Sequence, residues 1–320
     1  MTRLNDAFYV QGFPVGPSTV IPGGLFRGML PGGRILYVNN HASVQAGDGS
    51  SADRPLASIE AAVAALVAGS TSKLGSCIMV GAGHAESVDE ADWLSELSTL
   101  TSLSIIGMGT GSDRPSLTWT IATSSLLLDT ANLEIGNMRL FLAGAHAAGS
   151  ALTVAAPITV GGAGVRIVGN EIRWGFDADQ IVGDGIIWTG ANGVFAGNDC
   201  VAPVAAVPSN TFLTLTGTDN MKIYGNRIIG ATDNVARGVI DSETTANTNL
   251  QIFGNTIKNL LASSTIAVSM VAGDTGEAWG NRLFVNSGIL PFTASELEWY
   301  ENYVTNGEGE AGALVGTASA

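Results

Sequence analysis

Asp177, Asp179 and Asp184 lie near one another, and Asp199 falls on the next repeat. Paired carboxyl groups cleave glycosidic bonds when they are held about 5–9.5 Å apart, one as acid and the other as base or nucleophile. In a chain of stacked repeats, that geometry requires acids at equivalent places in adjacent repeats. Asp177 and Asp179 fall in a stretch that reads as loop, and no acid recurs at their phase in the repeat of Asn226. Solvated loop acids are the expectation, so no catalytic residue is assigned. His41, His84 and His146 stand in three separate regions, none at a spacing from serine, cysteine or acid that builds a triad. His84, in Gly83-His84, reads as a turn residue. Cys77 and Cys200 make no metal-binding spacing and read as small buried side chains. Gly107-Met-Gly-Thr-Gly111 precedes no helical pattern, so it is not a phosphate loop. Neither a metal nor a cofactor is expected.

The elements that would position such groups follow from composition. The 320 residues carry 14 Lys+Arg against 28 Asp+Glu, a formal net charge of −14, which argues against a broad nucleic-acid surface. Hydrophobic residues make up 46% and charged residues 13%, enough apolar material for a large core. The longest strongly apolar run, Ala61 to Gly69, is too short to cross a membrane. The 42 glycines, without a strict period, point to many tight turns between short strands.

Residues 1–33 hold four prolines, seven glycines, and two arginines against one aspartate, with no periodicity. Phe8, Tyr9, Phe13, Leu25 and Phe26 are anchors that a floppy tail does not need, so the segment reads as an extended arm that docks on a neighbour. It has no apolar leader stretch, so no secretory signal is expected and synthesis in a cytoplasm is. Short strands are expected at Arg34–Val38, Cys77–Val80 and Leu103–Met108. Between the first two, Leu56, Ile59, Val63, Leu66 and Val67 recur at helical spacing. Pro55 suits the first turn and Gly69 the C-cap, giving a helix over 55–68.

Beyond about residue 100 a Gly-Asn pair follows an apolar strand repeatedly, at Asn137, Asn170, Asn198, Asn226, Asn255 and Asn281, with Glu301-Asn302 as a degenerate last copy. Successive asparagines are 33, 28, 28, 29, 26 and 21 residues apart, a length that suits one solenoid turn of three strands and three bends. Three residues before each stand Ile167, Phe195, Ile223, Ile252, Ala278 and Trp299. Two residues after stand Ile172, Cys200, Ile228, Ile257, Leu283 and Val304. Both sets read as inward-facing, with the Asn itself making the left-handed bend between them. Stacked about 4.8 Å apart, Asn170, Asn198, Asn226, Asn255, Asn281 and Asn302 would hydrogen-bond from coil to coil. Asn137 is out of phase, because Glu134 and Arg139 occupy its inward slots.

The run from Arg34 through Val80, with Gly47-Asp-Gly-Ser-Ser51, Arg54-Pro-Leu-Ala-Ser-Ile-Glu-Ala-Ala-Val63 and Ile78-Met-Val-Gly-Ala-Gly-His84, resembles the opening of pectin-lyase-like proteins. The Gly-Asn coils resemble their asparagine ladder. The resemblance covers residues 34–305 and implies an all-β, right-handed parallel β-helix solenoid with one N-terminal capping helix. The extended N-terminal arm (1–33) and a Gly/Ala-rich acidic C-terminal tail (306–320) complete the chain. The tail either seals the last coil or reaches a neighbour.

Two residues before each bend, alternation turns Tyr224, Phe253, Trp279 and Tyr300 outward. Such a stripe is covered by the chain's own loops, forms a subunit interface, or offers a sugar-stacking platform. A solenoid with an adhesive arm and no export signal resembles virion components of tailed bacteriophages. That resemblance implies a non-enzymatic, trimeric capsid decoration or cement protein on the capsid exterior. Its partners would be the major capsid protein and other copies of itself, not nucleic acid or membrane. The alternative is a tailspike or tail-fibre protein that binds or depolymerises a host glycan.

Overall fold

The computed structural model describes residues 8–10, 13–15, 33–41, 47–69, 74–142, 152–174, 180–202, 211–232, 237–243, 245–261, 266–286, 296–306 and 313–315. Short strands repeat in threes along the chain and pair with their counterparts one coil away. Sheet 1 has ten strands, from Ile35–Val38 at one end to Glu296–Tyr300 at the other. Sheet 2 has ten, from Ala85–Val88 to Asn302–Asn306 and then Ala313–Val315. Sheet 3 has six, from Leu126–Leu128 to Val268–Ser269. Pairing within each is parallel and in register, as in Ile167↔Phe195↔Ile223↔Ile252↔Ala278↔Trp299, except that Ala313–Val315 pairs antiparallel at the edge of sheet 2. The chain is a parallel β-helix.

Both columns of apolar residues flanking the asparagines face inward, and each member is buried. With Trp93, Trp119, Trp188 and Phe212 they form one continuous core, in which Trp119 and Trp174 meet edge to face at 5.2 Å. The indole N–H groups of Trp119 and Trp188 donate to the carbonyls of Pro157 and Gly190, so these large rings are buried without an orphaned donor.

The asparagine bend differs in one respect from its sequence expectation. The left-handed residue is the glycine before the Asn, with φ between 62° and 67° at Gly169, Gly197, Gly225, Gly254 and Gly280, and 55° at Glu301. Glycine takes that conformation without penalty, which frees the Asn to turn inward and bond. Asn137 lies outside the ladder because the first copy is shifted by one residue. Ile135 pairs with Ile167 and Leu140 with Ile172, so Asn137 (φ 56°) takes the glycine's slot and Met138 the ladder slot. Glu134 does not face inward there. It bonds Arg166 at 3.0 Å on the outer face of sheet 1, and Arg139 pairs with Glu171 at 3.2 Å on sheet 2.

Both ends of the solenoid are covered. The helix spans Ile59–Ala68 rather than 55–68. Ser58 caps it by accepting from the Ala61 N–H at 3.0 Å, and Leu56 instead bridges in parallel to Val38. Its buried face, Ile59, Ala62, Val63 and Leu66, joins the core beside the edge strand Ile35–Val38. At the other end Ala313–Val315 folds back antiparallel on Asn302–Asn306, so this short strand covers the edge of sheet 2. Phe8–Val10 and Phe13–Val15 pair with each other as an antiparallel hairpin. The side chains of Phe8, Tyr9 and Phe13, and Leu25 and Phe26 altogether, lie outside the described residues.

Candidate functional site

Six asparagines form the column that organises the bend between sheets 1 and 2. Each Oδ1 from Asn198 onward accepts from the backbone N–H of the preceding ladder Asn at 2.9–3.0 Å and from its Nδ2 at 2.9–3.2 Å. Each Nδ2 also donates to a backbone carbonyl, from Ile135 O for Asn170 to Ala278 O for Asn302. Met138 N–H caps the column by donating to Asn170 Oδ1. All six are at most 2% exposed, so the column is structural and unavailable to a ligand.

A second buried column, which the sequence reading missed, lines the bend between sheets 3 and 1. Asn247 Oδ1 accepts from Thr218 N–H at 2.8 Å, and Asp274 Oδ1 accepts from Asn247 N–H at 2.6 Å. Asp274 Oδ2 takes the Ser242 hydroxyl at 2.5 Å and the Val271 N–H at 2.8 Å. Its members are Thr, Asn and Asp, and no single residue type repeats to reveal it.

The acids singled out from the sequence do not come together. Asp177 and Asp179 lie outside the described residues. Asp199 is on sheet 2, held at 2.6 Å by both Arg173 and Arg227. Burial opposes its ionisation, but the hydrogen bonds from the two guanidiniums outweigh burial and hold the carboxyl below its ordinary value. Asp184 is on sheet 3, where its Oδ1 accepts from Thr214 at 3.1 Å and Thr211 at 3.5 Å. That outer face brings in an acid absent from the sequence reading. Alternation puts Thr214, Asp241 and Ser269 in one outward column, yet Asp241 is only 4% exposed. Burial raises its pKa from 3.8 to about 6, against a hydrogen bond from Ser269 and the charge of Arg237, with Asp184 adding to the rise. The Trp174 indole N–H, buried with no acceptor, packs over Gly185 next to Asp184. A carboxyl whose pKa is raised to about 6, with a second carboxyl adding to the rise, is shifted in the direction a general acid requires. The sequence signal was faint, since Val239-Ile-Asp-Ser242 reads as an ordinary strand.

Asp241 has a consequence for stability. Its folded pKa lies above its unfolded one, so its contribution is fully present below about pH 4 and is lost as pH rises through about 6. The unscreened linkage is about 3 kcal/mol, and solvent screening reduces it to about 1–2 kcal/mol. Urea unfolding should therefore show wild type losing that much relative to Asp241→Asn between about pH 4 and pH 7. Parallel pH profiles for the two proteins would contradict the raised pKa.

His84 is buried, and its side chain has two partners. Its Nδ1 accepts from Asn40 N–H at 3.1 Å, and its Nε2 lies 2.9 Å from Glu86 Oε2. Glu86 in turn receives the Ile59 N–H at 2.8 Å. A histidine–acid contact thus exists that the sequence reading did not anticipate, and it ties the helix N-terminus to sheet 2. Cys77 and Cys200 are buried and free, and burial pushes both thiols up. Among the described residues no three His, Cys, Asp or Glu side chains group to hold a metal, and no helix is long and apolar enough to cross a membrane.

Tyr224, Phe253, Trp279 and Tyr300 do form one outward column on sheet 1. Successive centroids are 4.9, 4.5 and 5.8 Å apart, with planes within 6°. Each inner ring has both faces against a neighbour. The column therefore presents ring edges to solvent, which disfavours sugar stacking along its length.

This architecture is an all-β parallel β-helix with a single α-helix among the described residues. Among solved structures, the chain is similar to sacteLam55A from Streptomyces sp. SirexAA-E, at 10% identity and a TM-score of 0.52 over 75% of this chain; it spans about half (49%) of that protein's length. It is also similar to pectate lyase Pel9A, at 12% identity and a TM-score of 0.38 over 87% of this chain and 78% of that one. The deglycosylated pectin methylesterase from Aspergillus niger matches at 14% identity and a TM-score of 0.40, over 89% and 92%. No protein-family model and no curated protein matches the chain. At such identities the likeness concerns fold alone.

Proposed function

We propose that this chain is a non-enzymatic virion structural protein, a trimeric decoration or cement protein that binds a phage head through residues 1–33 and stands on the capsid exterior. The observation that carries this reading is the hairpin Phe8–Val10/Phe13–Val15. Its strands pair with each other, and among the described residues with no strand of the solenoid. A segment with its own pairing and five large apolar residues suits a partner outside the rod, and three such arms on a trimer would add contacts that one arm cannot hold. The phage setting itself draws on resemblance of fold and arm. Deleting residues 1–33 is expected to leave the solenoid's thermal transition in place and to abolish co-sedimentation with purified capsids. Co-sedimentation equal to that of the full chain would refute the arm's role.

The aromatic column is the surface through which copies would meet. Trp279 is one of its two inner rings, stacked on Phe253 and Tyr300. Trp279→Ala should lower the oligomer mass measured by sedimentation equilibrium, and an unchanged mass would exclude the column from the subunit contact.

One observation favours a second reading, glycan cleavage by a tailspike-like protein: the raised pKa of Asp241, to which the Asp184 charge contributes. Incubation with host capsule or lipopolysaccharide separates the two. The structural reading expects no released oligosaccharide. Release that disappears in Asp241→Asn and Asp184→Ala would replace it.

A further inference from the structure

A trough of about 530 Å³ lies along the outer face of sheet 1, where the chain enters it from the Asp219 corner. Its floor is Val194, Lys222 and Gln251, in register across three coils. Its wall is Asn192, Asn220 and Asn249, which all hold left-handed φ of 53–57° at the bend into sheet 1. Each stands six residues before a ladder asparagine, Asn198, Asn226 and Asn255 in turn. Asn192, Lys222 and Gln251 make no side-chain hydrogen bond to any described residue, so their donors and acceptors are uncommitted. Asn220 and Asn249 each donate to Asp219, at 2.8 and 3.0 Å, leaving their amide oxygens as acceptors. Hydrogen bonds from Thr248 and then Asn249 hold the Asp219 carboxyl below its ordinary value, so its charge is already satisfied at the rim.

We propose that this trough binds an uncharged oligosaccharide lying parallel to the solenoid axis, without cleaving it. Hydroxyl groups both donate and accept, and an amide offers both functions side by side, so rows of amides match polyhydroxylated ligands. The amides recur once per coil, about 4.8 Å apart, which suits a linear polymer that presents the same hydroxyls at each unit. Lys222 is one cation set against Asp219 on a chain of net charge −14, which disfavours a polyanion. The aromatic column also ends here. Tyr224, two residues after Lys222 on the same strand face, stacks on Phe253, while the next coil offers only Ala196 at that position, so no ring covers its other face. A pyranose there would extend the stack by one unit. The trough shares no residue with the acids of sheet 3 and does not depend on the capsid reading.

The test is calorimetric titration of the full-length protein with the hexasaccharides of cellulose, amylose and chitin, and with hexagalacturonate. At least one uncharged probe should bind with an affinity insensitive to salt. Asn192→Ala/Lys222→Ala/Gln251→Ala should weaken it about tenfold or more. Gln251→Ala alone replaces the triple variant if the latter's melting temperature falls. The proposal is overturned if no uncharged probe binds at millimolar concentration, if the variant binds as wild type does, or if only hexagalacturonate binds and salt abolishes it.

Discussion

Replacing Asn226 by alanine is expected to cost the fold about 3–5 kcal/mol. The side chain donates to Phe195 O at 2.8 Å and to Asn255 Oδ1 at 3.0 Å, and accepts from Asn198 N at 2.9 Å and Asn198 Nδ2 at 3.0 Å. All of these groups sit in a bend with no exposed ladder residue, so truncation orphans partners on both neighbouring coils. Leaving a buried donor or acceptor unpaired costs about 1–3 kcal/mol each. Position along the column supplies an internal control. Asn302 ends the ladder, bonding only toward Asn281 and Ala278 O, so Asn302→Ala should cost clearly less. Denaturant midpoints for the two variants check the ordering. A loss under about 1 kcal/mol at Asn226 would mean that the column does not hold the coils together.

Gly276→Ala is expected to cost about 3 kcal/mol or more. Gly276 has φ of 134°, a region closed to other L-residues, and its Cβ would overlap the backbone N and O of Leu250 on the adjacent strand. Both the conformation and the space exclude a side chain, so the strand Thr275–Trp279 must pull away from Leu250–Phe253. That displacement would part the rings of Phe253 and Trp279, now 4.5 Å apart. Near-ultraviolet circular dichroism should lose its stacked-aromatic signal along with stability. A variant that melts like wild type and keeps that signal would contradict the pairing of these two coils.

The solenoid was legible in the sequence because its strongest constraint is written in one residue type. A buried side chain that must both donate and accept along a column admits little besides asparagine, so Gly-Asn recurs and gives the coil length. The outward aromatic column followed from the same register by simple alternation. What the pattern concealed was which residue takes the strained conformation, since Gly-Asn is equally consistent with either. Met138 shows the limit: the ladder ends on a backbone N–H, and only pairing reveals that Asn137 has moved one place. The site was harder to read. Asp184 and Asp199 are close in sequence but on different sheets, because the bend between them turns the chain to a new face. Asp241 and Asp184 come from coils two turns apart and lie in different strand contexts, so no local spacing joins them. The amide wall of the trough was written at Asn192, Asn220 and Asn249, but Gly164 and Thr275 interrupt it on either side.

The most direct measurement is electron microscopy of heads decorated with the full-length chain. The account expects three rods around a common axis, each touching the shell at the end that carries residues 1–33 and projecting outward. Heads left bare, with the protein found only at the tail or free in solution, would contradict it.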